Sequence, residues 1–235
     1  MAYYSRPQFS IGGPLTSRVK FLMIACVVGF LLQRVVGEWR LNYIFGLVPA
    51  LFWSKFFVWQ LVTYIFLHGN FWHLFFNLLV LWIFGGEIER SMGSRRFIQY
   101  FFITAIGAGI CTVVFTPGLS VPVVGASGGI YGLLLAYAWF FPERYIYFWG
   151  IFPMKAKYFV LLLGAFAFWL SLGGTGSDNI AHLAHLGGIL FGLLYFNYYR
   201  IWKWIYFTYL KLKHRNTGRG PGGSDEDRWD GWGRA

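Results

Sequence analysis

Hydrophobic side chains fall in long runs along this chain, without the strict alternation of a half-buried strand. Runs near the length of a membrane-crossing helix, roughly 20 residues, lie at 19–36, 71–88, 96–115, 127–141, 155–172 and 179–199. The pattern predicts an all-α membrane protein built as a six-transmembrane-helix bundle. Between the first two runs, residues 37–70 are rich in Trp and Phe but broken by Pro49 and Gly69. That stretch is too interrupted to span and too apolar to stand in water. It predicts helical pieces lying in the outer interface, a long interfacial first loop. The first run is read as a span and not a cleaved signal peptide, because five others follow it.

Composition agrees. Charged residues make up only 12% of the 235 residues, half the share of a typical soluble domain, about 25%, so lipid must cover much of the surface. Aromatic residues reach 23%, which suits headgroup belts of Trp and Tyr. A net charge of +11 would suggest nucleic acid in a soluble protein, but here the cations sit in loops and the C-terminal part. Of the 20 Lys and Arg, only Arg34, Arg40 and Lys55 fall on one side of the six-span topology. The positive-inside rule therefore explains the charge without nucleic acid and puts both termini in the cytoplasm. The expected organisation is a cytoplasmic segment 1–18, a transmembrane domain 19–200, and a tail 201–235. In that tail Trp202 to Leu212 reads as a basic amphipathic helix, followed by a disordered Gly-rich and acidic end carrying WDGW. Cys26 and Cys111, each inside an apolar run, read as packed thiols.

Polar groups inside a membrane are costly and so mark function. His73 and Asn77 share one face early in the second run, His182 and His185 lie early in the sixth, and Ser127 opens the fourth within GASGGIYG. Even-numbered spans run from outside to inside, so three helices bring these groups to similar depth below the outer surface. From Ser127 to Phe141 is about 22 Å of helix against a core of about 30 Å, which sinks the serine beneath the surface. The preceding 116–126, with Pro117, Gly118, Pro122 and Gly125, cannot be regular helix and needs protein or a water-filled cavity around it.

This set suits hydrolysis. A serine hydroxyl becomes a nucleophile when a neutral His takes its proton, and either His182 or His185 is in position to do so. Ser127 at a helix start has free backbone N–H groups beside it, and His73 and Asn77 add side-chain donors for an oxyanion. Tyr131, one turn on, is placed to hold an imidazole by stacking. Small-residue rows Gly128, Gly132, Ala136 and Ala184, Gly188, Gly192 permit close approach of the fourth and sixth spans, or generic bundle packing. No acidic group lies at this depth, so a full triad is not expected, nor is any metal or cofactor.

With those residues assembled, the chain resembles the rhomboid intramembrane serine proteases. The matching pieces are HGNFWHLFFN (His68 to Asn77), GGEIER with Gly93, GASGGIYG (Gly125 to Gly132) and AHLAHLGG (Ala181 to Gly188). The resemblance implies Ser127 as nucleophile and His185 as base, with Asn77, His73 and the Ser127 amide as oxyanion donors and Tyr131 packed on His185. Gly125 and Gly128 then support the serine, and His182 supports through a structural hydrogen bond. It further implies substrates that are single-span membrane proteins cut near their outer ends. The compact six-span form points to a bacterial inner membrane. Trp59-Gln60 stands where many members carry Trp-Arg, which weakens the expected salt bridging of the first loop. Glu89 matches a position that ties that loop to the bundle, and Glu87 and Glu89 are expected to pair with Arg90, Arg95 or Arg96. His68 is expected to hold a loop, and Ser177 and Asp178 to cap the sixth span. The competing readings are a non-catalytic relative that binds membrane helices and a His-based metal carrier. The latter lacks acidic or thiolate ligands at this depth, and H-E-x-x-H is absent.

Overall fold

A computed structural model describes residues 13–148, 152–172 and 177–217. The first twelve residues and the tail from 218, with its acidic patch and WDGW segment, lie outside the described residues.

The chain is mostly helical. In order it forms α1 (Ser17–Val36), α2 (Glu38–Phe45), α3 (Pro49–Lys55), α4 (Gln60–Thr63), α5 (Phe71–Val80), α6 (Gly86–Met92), α7 (Ser94–Phe115), α8 (Ser127–Phe140), strands β1 (Tyr145–Phe148) and β2 (Phe152–Lys155), α9 (Ala156–Leu172) and α10 (Ser177–Thr217). A π-helical turn, Leu81–Gly85, joins α5 to α6. By length and composition Ser17–Val36, Phe71–Met92 and Ser94–Phe115 can each cross a membrane, and Ser127–Phe140 and Ala156–Ser171 are shorter apolar helices.

Several boundaries depart from the hydrophobic runs. The second continues past 88 to Met92 and stops at Gly93, whose φ of +79 favours glycine. The sixth is part of one helix of 41 residues, so no break separates it from the stretch expected to lie flat. No Gly or Pro occurs between Gly192 and Thr217 to interrupt it. The strands β1 and β2, antiparallel with Ile146 opposite Met154, fall between the fourth and fifth apolar runs and were not anticipated. At their base Glu143 accepts hydrogen bonds from Lys155 Nζ at 2.7 Å and from Lys157 Nζ. These bonds pull the Glu143 carboxyl down to about 2. Ser177 starts α10, but its side chain and that of Asp178 lie outside the described residues.

Residues 37–70 form short helices tied back to the bundle by uncharged polar groups. Gln60, fully buried, accepts from Val48 N at 3.0 Å and donates to the Tyr43 and Ile44 carbonyls at 3.0 and 3.3 Å. The amide thus does what an arginine would do by charge. Gln33 of α1, also fully buried, donates to Asn42 Oδ1 at 2.7 Å and accepts from His68 N at 3.0 Å. Trp53 Nε1 donates to the Val113 carbonyl at 2.8 Å, fastening α3 to α7. Gln60→Leu is expected to lower stability by about 2–3 kcal/mol, because the Val48 N–H and two carbonyls lose their partner at once. Thermal unfolding in detergent checks this; an unchanged midpoint would remove Gln60 from the list of supports.

The acidic pair departs from expectation. Glu89 accepts from Ser17 Oγ, the Arg18 and Val19 amides and Ser94 Oγ, the last at 2.5 Å. It therefore anchors the start of α1 and not the first loop. All four partners are uncharged hydroxyls or main-chain amides at the starts of α1 and α7. Glu87 pairs with Arg144, at 2.6 Å, and not with an arginine of its own neighbourhood. Arg144 is the cation at the end of α8, whose guanidinium also covers the Phe141 ring.

The core gathers where α7 and α8 meet α10. The Tyr100 hydroxyl of α7 donates to the Gly132 carbonyl of α8 at 2.7 Å. Cys26 and Cys111 are buried free thiols.

Candidate active site

The segment before Ser127 is irregular, yet its backbone is held at both ends. Leu47 and Val123 exchange N–H···O bonds at 2.9 and 2.8 Å, Ala50 N donates to Leu119 O at 3.0 Å, and Gly125 N donates to Tyr64 O at 2.9 Å. Short helices of the first loop thus supply the partners that water would supply elsewhere. Tyr64, buried, also sends its hydroxyl to the Ala105 carbonyl at 2.6 Å. One side chain therefore links the first loop, the serine segment and α7. Sequence reasoning passed over Tyr64 and Gln33, and read Gln60 only as a missing arginine, because it searched for ionisable groups. The available signal was an uncharged polar group inside apolar surroundings.

Gly125 has φ +127, a conformation side-chain-bearing residues rarely adopt. A Cβ there would also stand 2.7 Å from His73 Cε1 and 2.8 Å from Nε2. The imidazole of His73 therefore lies directly against the backbone leading into Ser127. α5 starts at Asn70, whose side chain accepts from His73 N at 2.8 Å, an N-cap that fixes where His73 sits. Asn77, one turn later, is buried, and its Nδ2 has no partner among the described residues.

Ser127 is the first residue of α8 and is half-buried. First-turn amides have no intrahelical acceptor, so the N–H groups there remain as donors. Tyr131, one turn along the same face, stacks flat on His185 of α10, with ring centroids 4.1 Å apart and planes 9° from parallel. His185 is half-buried, its Nδ1 buried without a partner, and no hydrogen bond joins it to Ser127 among the described residues. His182 lies on the turn before, its ring centroid 5.9 Å from that of His185.

The small-residue rows bring α8 and α10 together as expected, and the row on α8 also meets α7. A Cβ on Gly188 would lie 2.1 Å from the Gly128 carbonyl oxygen, so α8 and α10 touch backbone to backbone beside Ser127 and His185. Yet the same positions of α8 also seat against α7: Gly128 would meet Ala108 Cβ at 2.4 Å and Gly132 would meet Thr104 at 2.5 Å. The row on α8 serves two neighbours at once. His68 is fully buried, its ring edge-on to His73 at 5.1 Å, and neither ring nitrogen has a partner among the described residues. Its backbone bond to Gln33 does hold the loop before α5.

Helices of this length and apolarity, packed around buried polar groups, define a multi-pass membrane protein. The Rhomboid domain family model matches residues 55–201, and the chain belongs to the rhomboid family. It is 32% identical over 186 residues to the rhomboid protease GlpG of Enterobacter sp. (strain 638), covering 77% of this chain and 61% of that one. The GlpG proteins of Salmonella paratyphi A and Salmonella typhi are also 32% identical, over 183 residues each with the same coverage. The chain thus spans about three-fifths of the length of these curated relatives.

Proposed function

We propose that this chain is a serine endopeptidase that cleaves membrane-anchored proteins within the bilayer. The observation that carries this is the flat stack of Tyr131 on His185, one turn from Ser127, where α8 and α10 come into backbone contact. Relatives named rhomboid protease GlpG support it. Ser127 Oγ attacks the scissile carbonyl as its proton passes to His185, the base. His185 Nδ1 is enclosed, which leaves Nε2 to take the proton. The oxyanion is met by the Ser127 amide, His73 and Asn77 Nδ2, the last a buried donor still lacking an acceptor. His185 then returns the proton to the departing amine, and water hydrolyses the acyl-enzyme through the same base. Tyr131 holds the imidazole in plane, a duty an acidic residue performs in a triad.

In this reading α8, α9 and α10 complete six spans with both termini in the cytoplasm, in a bacterial inner membrane. Residues 37–70 then lie in the outer interface. The substrates are single-span proteins cut near their outer ends, where a loosened helix exposes a carbonyl. Unwinding matters because a carbonyl inside a regular helix is already hydrogen-bonded and shielded.

A fluorophosphonate probe tests the reading on purified protein. Labelling is expected for the wild type and absent for Ser127→Ala. His182→Ala is expected to retain measurable labelling and His185→Ala to lose nearly all. Equal loss from the two histidine variants would move the base to His182 or to the pair.

A further inference from the structure

We infer that a crevice between α1 and α5 holds one anionic phospholipid. The crevice has a volume of about 300 Å³ and is lined by Leu15 before α1, by Lys20, Met23, Ile24, Val27 and Val28 of α1, and by Leu78 of α5. Spacings of three and four put all five α1 residues on one helical face. Its walls are apolar, and Lys20 lines them with its methylene stem.

Length and polarity match one lipid. From Lys20 to Val28 is about 12 Å along a helix, close to half of a bilayer core of about 30 Å. Lys20, exposed in the first turn of α1, marks the rim of the crevice, and of the lining residues only Leu15 precedes it in the chain. From that rim the apolar walls run inward. A headgroup at the rim and an acyl chain along Met23, Ile24, Val27 and Val28 follow the same order. Among the described residues Lys20 has no carboxylate partner. Glu89, the nearest acid in sequence contact with α1, already spends its oxygens on four donors. A flexible ammonium is a suitable point partner for phosphate, and its methylene stem can lie along the apolar wall while the charge reaches the rim. Charge complementarity therefore selects an anionic lipid over a zwitterionic one of equal chain length. The inference rests on membrane residence alone and stands apart from the catalytic reading.

Native mass spectrometry of the full chain, titrated in detergent with dioleoyl phosphatidylglycerol or dioleoyl phosphatidylcholine, tests it. Wild type is expected to retain one phosphatidylglycerol about fivefold more tightly than phosphatidylcholine, the effect of one basic side chain at an anionic surface. Lys20→Gln should abolish that preference and leave weak binding of both. Val27→Trp, which fills the crevice, should lose the single tight site for both. Lys55→Gln, a cation outside the crevice, should behave as wild type. Equal affinity of the wild type for the two lipids overturns the inference, as does a preference that survives Lys20→Gln. A loss produced equally by Lys55→Gln also overturns it, since that is the signature of diffuse attraction to a protein of net charge +11. Unfolding midpoints measured alongside exclude a variant whose loss is a failure to fold.

Discussion

Ser127→Ala is expected to lower cleavage of a single-span reporter in proteoliposomes by about 10⁴-fold or more, and His185→Ala by a similar factor. The reason is that nucleophile and base act as one unit, so removing either forfeits nearly the whole covalent route. For the same reason the double variant should be no worse than either single one. Loss of an oxyanion donor costs less, on the order of 10²–10³-fold, so Asn77→Ala and His73→Ala should fall between the wild type and the Ser127 variant. Tyr131→Phe keeps the flat ring that lies 4.1 Å from His185 and should be nearly neutral, whereas Tyr131→Ala removes it. Ser127→Ala should not alter stability, because the hydroxyl has no hydrogen-bond partner among the described residues. A Ser127→Ala protein that still cleaves at more than about one per cent of the wild-type rate would refute the serine as nucleophile.

The helices were legible in the sequence because bilayer-length apolar runs carry a strong signal. Cleanest of all was α8, whose start at Ser127 follows from two prolines and two glycines just upstream. The sequence reading expected His73, Ser127 and His185 to gather; His73 lies against Gly125, two residues before Ser127, and His185 stacks on Tyr131, one turn after it. What escaped was pairing across long sequence separations between neutral groups. Gln33 and Asn42, Gln60 and Val48, and Tyr64 and Gly125 meet through main-chain carbonyls and amides. Main-chain partners leave no residue-type signature at the far end. Glu89 escaped for the same reason: an acidic residue invites a search for arginines, while the α1 amides that satisfy it are invisible in composition. The strands β1 and β2 escaped because they lie in the loop between two apolar runs, where four residues each carry too short a pattern to read.

Gly188→Val should be the most destructive change that leaves every proposed catalytic group in place. The first carbon of the new side chain would sit 2.1 Å from the Gly128 carbonyl oxygen. That oxygen belongs to the first turn of α8 and cannot rotate away as a side-chain tip can. The two helices must therefore part by an ångström or more, and Gly128 cannot retreat freely because Ala108 of α7 lies behind it. Overpacking of this kind costs about 3 kcal/mol or more, which corresponds to a fall of roughly 10 °C in the unfolding midpoint. Activity should drop further than stability alone explains. His185 and Ser127 sit on the two helices being forced apart, and a misplacement near 1 Å is worth on the order of 10²-fold in rate. Gly188→Ala should show the same two effects at smaller size, because even one methyl meets that oxygen. Gly164→Ala in α9 is the control: its added carbon would rest 3.4 Å from Ile189 Cδ1, an ordinary contact. Both properties should then stay near wild type. If Gly188→Val left cleavage and midpoint unchanged, α8 and α10 would not be in backbone contact beside the serine. The geometry proposed for proton transfer would then have lost its support.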